Sequence, residues 1–256
     1  MLRIGGRKWN PMKLFSLLVP LTLYVVSVGS GRAQQPPADS GQLNAVLAKM
    51  DATAASFRTA RADFEWDRYE KVIDEVDDVQ KGTVYYRRTG KNDIEMKADI
   101  KMAGSDSAAL KPEPKFVLVS EGKVRMYQPK ADEVTVYDMG KKRSEFESFV
   151  VLGFGGSGQD LVKQFDVTYL GQEMVDGIAA AKLQLIPKSQ SVRNNFTKIL
   201  LWIDLDRGIS VQQQLFDLQG DYRLAKYLSI KLNEKIGNEV FQLKTTGKTR
   251  TVMAGG

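Results

Sequence analysis

The stretch Thr59-Ala60-Arg61-Ala62-Asp63-Phe64-Glu65-Trp66-Asp67 decides the fold. Ala60, Ala62, Phe64 and Trp66 hold the even positions, and Arg61, Asp63, Glu65 and Asp67 hold the odd ones. That is the period-2 alternation of a strand with one dry and one wet face. Working outward, strand-like runs recur at 82–89, 94–102, 116–120, 123–127 and 134–137, and again at 167–171, 179–186, 198–204, 210–217, 222–232 and 240–243. Glu121-Gly122 and residues 128–132 join successive runs as tight turns. Ile199 to Ile203 is apolar on both faces, which predicts a strand covered on both sides. Short connections make antiparallel neighbours the expectation, and about ten or eleven strands make a large sheet that twists and curls.

Helical spacing interrupts the strands twice. Before the first strand, Leu43, Val46, Leu47, Met50, Ala54 and Phe57 repeat on one helix face, with Asp39 or Ser40 available as the N-cap. Between residues 141 and 165 come Ser144 to Leu152, the run Gly153-Phe154-Gly155-Gly156-Ser157-Gly158, and a short helical stretch at 159–165. The expected fold class is mostly β (α+β), a curved antiparallel sheet whose concave side is covered by these helices, with an apolar space between the layers.

Composition removes most enzyme chemistries. Among 256 residues there is no histidine and no cysteine, so a Ser/His/Asp triad, a thiolate nucleophile, a His or Cys zinc site and a disulfide are all excluded. The net charge of +6 sits in the leader. Arg3, Arg7, Lys8, Lys13 and Arg32 fall within residues 1–33 without an acid, leaving 32 basic residues against 31 acidic ones elsewhere. Nucleic acid is therefore not an expected partner. The positive segment precedes an uncharged, mostly apolar run of 15 residues, Leu14 to Val28, and then Gly31-Arg32-Ala33. Residues 1–33 read as a secretory signal peptide cleaved after Ala33, and 34–40 as a Pro-containing linker. An uncleaved anchor is disfavoured because Pro20 interrupts a run shorter than the roughly 20 residues that span a bilayer.

Three motifs invite reading as sites. Gly153, Gly155 and Gly158 satisfy G-x-G-x-x-G, but the helix after them is short and the next strand belongs to an antiparallel run, so a hinge is the better reading. Asp74, Glu75, Asp77 and Asp78 lack EF-hand spacing and read as a solvated hairpin turn. Carboxylates are plentiful, but no two are aligned across a cleft by sequence, which leaves a carboxylate-dependent hydrolase as the remaining enzymatic alternative. No cofactor and no metal are expected.

The element order and several phrases resemble the LolA-type periplasmic lipoprotein carriers over residues 41–250. The resemblance is carried by Ala62-Asp63-Phe64-Glu65-Trp66, by Gly82-Thr83-Val84-Tyr85-Tyr86-Arg87-Arg88, and by Ser120-Glu121-Gly122-Lys123 leading to Tyr127-Gln128-Pro129. In the second half it continues through Ile199 to Asp204, the Asp217 to Gly220 turn and Phe241-Gln242-Leu243. It implies a single domain, an unclosed β-barrel with a helical lid, that carries the acyl chains of lipoproteins or lipids through the periplasm without catalysis, as a monomer, between an inner-membrane donor and an outer-membrane acceptor. The acceptor of that fold is itself lipid-anchored, and the absence of cysteine argues against that role. A periplasmic lipid-signal sensor or regulatory module of the same fold is the alternative.

The candidate ligand-binding positions are Phe64 and Trp66, Val84 and Tyr86, Val124 and Met126, and Leu183 and Leu185. Alternation marks the buried face and does not separate a cavity lining from a packed core. Arg88 shares the face of Val84 and Tyr86 and matches the family's inward basic residue, which implies a lid latch; an exposed strand-end arginine is the alternative.

Overall fold

In the structure, a computed structural model, residues 40–90, 93–140, 152 and 154–254 are described. The expected leader, the linker as far as Asp39, and residues 141–151 and 153 lie outside them. The Thr59 to Asp67 alternation forms most of β1 (Thr59–Glu70), with Ala60, Ala62 and Phe64 buried on one face. β1 pairs antiparallel with β2 (Glu75–Arg88) on one side and with β11 (Tyr222–Leu232) on the other. From β2 the chain meanders through β3 (Ile94–Gly104), β4 (Lys111–Ser120), β5 (Lys123–Gln128) and β6 (Glu133–Asp138). From β7 (Phe165–Val175) it meanders through β8 (Ile178–Pro187), β9 (Lys198–Asp204) and β10 (Ser210–Phe216) to β11. With β12 (Arg250–Met253) these make one 12-stranded sheet in the order β12-β6-β5-β4-β3-β2-β1-β11-β10-β9-β8-β7. β7 and β12 are the two edges, so the sheet is unclosed.

Helices cover the inner face. α1 (Ser40–Ser56) begins at Ser40, which is its first residue rather than its cap. α2 (Gly158–Gln164) starts from Ser157, whose hydroxyl accepts the Asp160 N–H, and gives way to β7 at Phe165. A third, one-turn helix, α3 (Gln190–Arg193), is not legible in the periodicity because it is shorter than one repeat of a helical face. β9 is buried along nearly all its length, as its double-sided apolar pattern predicts. Ile199, Leu201 and Ile203 face α1, while Leu200 and Trp202 pack with Val175, Ala180 and Val211 on the outer face.

One expectation is refined and two are corrected. The solvated hairpin turn expected at 74–78 is there but shorter: it ends at Asp74, and β2 already begins at Glu75, with Arg68 on β1 binding Asp77 near the tip. The run 240–243 is not a strand. Both edges of β11 are taken by β1 and β10, so the chain leaves the sheet there and forms a 3-10 turn, Asn238–Phe241, that packs Phe241 beside Arg87. Finally the last strand is parallel: β12 pairs with β6 in the same direction, which brings the count to twelve.

The segment between β11 and β12 thus forms a strap on the outer face. The Arg87 guanidinium lies 4.2 Å from the Phe241 ring centroid and binds Glu95 at 2.6 Å. Leu243 joins Tyr127, Val134 and Val136. Asp132, left-handed at φ 44°, accepts from Thr246 at 2.8 Å and from Thr249 at 2.6 Å. These bonds, with Thr249 contributing most, hold the Asp132 carboxyl below its ordinary value. A depressed folded-state pKa stabilises the strap above the ordinary carboxylate value, and that contribution is lost as pH falls through the lowered one. Amides of residues 246–253 should therefore exchange faster, after correction for intrinsic rates, as pH drops below about 4, and Asp132→Asn should be fast already at pH 7. Equal protection of parent and variant across that range would refute the assignment.

Candidate functional site: a covered apolar face

Cross-strand register places the predicted residues. Ala62, Val84, Ala98, Val117 and Met126 lie opposite one another across five strands, and Tyr86, Met96, Val119 and Val124 form a parallel row. Directly opposed residues of antiparallel strands share a face, so Val124 and Met126 do lie on the side of Val84 and Tyr86. Phe64, Trp66, Val84 and Tyr86 come together with Phe57, Phe154, Ile209 and Tyr227 in one cluster. The Phe64 and Trp66 rings stack at 3.9 Å between centroids. Leu183 and Leu185 are placed elsewhere, fully buried beneath α1 among Val46, Met50, Leu161 and Ile199. Periodicity assigned their face correctly, but could not show that it meets a helix.

Phe154, which the sequence reading passed over, is the centre of the first cluster. Its side chain is 0% exposed, stacked on Tyr86 at 4.7 Å and set edge-on to Tyr227 at 4.9 Å. A lone aromatic inside a glycine run was the available signal. The glycines explain how it gets there. Gly155 has φ +86°, and a Cβ on it would lie 2.6 Å from the Phe57 ring. At Gly158 a Cβ would lie 2.5 Å from the Leu47 carbonyl, so α2 can press against α1 only without a side chain there.

Arg88 fastens this cover. Its Nη2 donates to the Gly155 carbonyl at 2.9 Å and to the Ala54 carbonyl, in the last turn of α1, at 3.4 Å. The guanidinium also stands 5.8 Å from the Phe57 ring centroid. One side chain on the sheet therefore holds both the end of α1 and the loop carrying Phe154. Asp51 on α1 adds a bond to the Gln159 N–H at 3.1 Å.

The floor under Phe154 is not purely hydrocarbon. The polar groups of Tyr86 and Trp66 neighbour the Tyr227 hydroxyl and favour its ionised form. Burial outweighs their effect and pushes Tyr227 up to about 12, and burial likewise raises Tyr86. Both phenols stay protonated at neutral pH. Between α1 and α2 the described residues enclose a cavity of about 20 Å³, lined by Met50, Leu152, Leu161 and Phe165 with Ser157, Asp160 and Gln164. That is room for one or two waters and not for an acyl chain. Among the described residues no cluster of three acids could hold a metal ion, and no helix is long and apolar enough to cross a membrane.

An unclosed sheet with helices on its inner face is an architecture that other chains share. The family model that matches residues 116–253, more than half the chain, is described only as "Uncharacterized protein", and the chain belongs to that family. No curated protein sequence matches it. Among solved structures it is similar to an uncharacterized conserved protein from Thermus thermophilus, with 12% identity, 83% of this chain and 99% of that one covered, and a TM-score of 0.50. It is similar to MucB at 11% identity and a TM-score of 0.50, covering 84% of this chain and 66% of that one. A LolA superfamily protein from Nitrosomonas europaea aligns more loosely, with 12% identity, coverage of 78% and 97%, and a TM-score of 0.38. At these identities the likeness is one of fold.

If Phe154 is a removable plug and not a fixed core residue, truncating it should cost less than the roughly 3–5 kcal/mol of a rigidly buried phenylalanine. Phe154→Ala is expected to lower thermal stability mildly and to increase the uptake of an environment-sensitive apolar dye. A full-size loss of stability with unchanged dye uptake would make Phe154 ordinary core.

Proposed function

We propose that this protein is an exported, non-catalytic carrier whose inner sheet face binds acyl chains of lipoproteins or lipids in the periplasm and passes them toward the outer membrane. Residues 1–33 act as its cleaved leader and 41–250 as its single binding domain. One observation carries the reading: Arg88 holds the α1 terminus and the Phe154 loop over an aromatic, apolar floor by a few polar bonds. Apolar affinity needs no reactive group, because each buried methylene contributes about 0.8 kcal/mol. Release needs a competitor for the same surface, and Phe154 with Phe57 supplies it. In this reading Phe64, Trp66, Val84 and Tyr86 contact the chains first, with Val124 and Met126 extending the floor and Leu183 and Leu185 reached only after α1 moves.

Hydrogen bonds from a charged donor contribute roughly 1.5 to 3 kcal/mol when shielded and less when exposed, enough to favour a closed cover but within reach of an entering chain. Arg88→Leu should favour the uncovered state, so that dye and acylated peptide bind at least as tightly as in the parent while transfer to acceptor vesicles slows. Arg88→Lys should fall between, since an ammonium lacks the planar fork. Uptake and transfer rates identical in all three proteins would remove Arg88 from the mechanism, and cleavage of the added ligand, seen by mass spectrometry, would replace the carrier with a hydrolase.

A further inference from the structure

At the far end of the same face from Arg88, two arginines stand side by side. Phe64, Trp66 and Arg68 follow one another at every second residue of β1, so all three point inward. The β1–β11 register sets Arg68 directly opposite Arg223 and Trp66 opposite Ala225, with no shift between them. On its other side Arg223 lies opposite Leu215, which packs in the cluster beneath α1. The apolar floor therefore ends in a charged row, the adjoining guanidiniums of Arg223 and Arg68 with Asp78 of β2 opposite Arg68.

Like charges directly opposed across a ladder are destabilising. Arg68 is neutralised in part: its Nε binds Asp77 at 2.7 Å, and Glu70 lies 3.3 Å away. Arg223 is not. It is exposed, and among the described residues no carboxylate lies within ion-pair distance, the nearest acidic influences being Asp78, Asp77 and Asp217. The surrounding protein and the Arg68 charge both disfavour its charged form, which an incoming anion would relieve.

We propose that Arg223, with Arg68 beside it, is the headgroup subsite of the inner face, so that the ligand is an amphiphile with an anionic phosphate or carboxylate head. This rests on the carrier reading and narrows its cargo. Opposed side chains stand about 5 Å apart at Cβ, close enough for both guanidiniums to meet one anion, and the fork of Arg223 matches either oxyanion in a two-bond geometry. Four residues of strand from Arg68 back to Phe64 span roughly 13 Å, along which the first part of a chain would cross Trp66 and Phe64 on its way to the Phe154 plug.

Three fluorescent probes carrying the same acyl chain, a phosphatidic acid, a free fatty acid and a diacylglycerol, should be titrated below their aggregation limits into the full-length protein, Arg223→Gln and Arg223→Lys. The parent should bind at least one anionic probe about tenfold more tightly than the diacylglycerol, in keeping with a charge-assisted bond. Arg223→Gln should lose that advantage without losing the diacylglycerol, and Arg223→Lys should keep part of it. Preference for phosphatidic acid alone would identify a phospholipid head, and preference for the fatty acid as well would identify any oxyanion. Equal binding of charged and neutral probes by the parent, or an anionic preference untouched in Arg223→Gln, would overturn the subsite while leaving the carrier in place. No binding of any probe by any of the proteins would overturn both.

Discussion

An unclosed sheet with an apolar inner face cannot stand bare in water, and everything else in the structure answers that constraint. Closing the barrel would bury the face permanently; here β7 and β12 remain edges and the covering is done by α1 and the loop around Phe154. A cover made of separate elements can be removed. The two halves of the face are covered differently. Beneath α1, Leu183, Leu185, Ile199 and Leu201 meet Val46 and Met50 in a helix-on-sheet core, whereas among the described residues the cover over β1, β2 and β11 contributes two phenylalanines, Phe57 and Phe154, from chain segments next to helix ends. Burying a Phe side chain contributes about 1.5 to 3 kcal/mol, far less than a four-turn amphipathic helix contributes through its whole face. Uncovering should begin at Phe154 and reach α1 later.

The outer face shows the opposite solution. There the strap from β11 to β12 is held by an arginine over a ring, by hydroxyl bonds to Asp132 and by four residues of parallel pairing at the sheet edge. Phe241 and Leu243 add apolar burial, but the remaining contacts are polar or edge-on. By occupying the β6 edge, β12 also blocks unpaired backbone groups that would otherwise invite another strand. Inner and outer coverings are thus sensitive to different things, the inner to apolar competitors and the outer to acid.

Much of the fold was legible because its information is local. Alternation in β1, double-sided burial in β9 and the Glu121-Gly122 turn, where both residues take positive φ, are each written into a few consecutive residues. What failed was non-local. Residues 240–243 have strand composition and no free strand to pair with, and four residues at 250–253 become a strand only because the β6 edge is open. The site divides in the same way. Phe64, Trp66, Val84, Tyr86 and Arg88 follow from facing, which period 2 gives; the separation of Leu183 and Leu185 beneath α1, and the arrival of Phe154 on Tyr86, depend on tertiary contacts that no spacing encodes. Arg223 escaped notice because its meaning lies in the register with Arg68, 155 residues away in sequence.

The two basic ends of the inner face are not equivalent, and the difference gives the face a direction. At one end Arg88 donates through Nη2 to backbone carbonyls of the cover, groups that carry no net charge. At the other, Arg223 faces solvent with no ion-pair partner among the described residues. Both guanidiniums keep their charge, but Arg223 is exposed and Arg88 half-buried, and an exposed charge attracts anions over roughly a Debye length, about 8 Å at physiological ionic strength. On the proposed reading, encounter is therefore electrostatic and begins at Arg223, and commitment is hydrophobic and ends at Phe154. A chain held by its head and advancing over Trp66 and Phe64 reaches the plug as an intramolecular competitor, at an effective concentration set by the length between head and tip. Weak bonds at Arg88 are then sufficient: the cover has to resist a free hydrocarbon tail in dilute solution, and has to yield to one already tethered beside it.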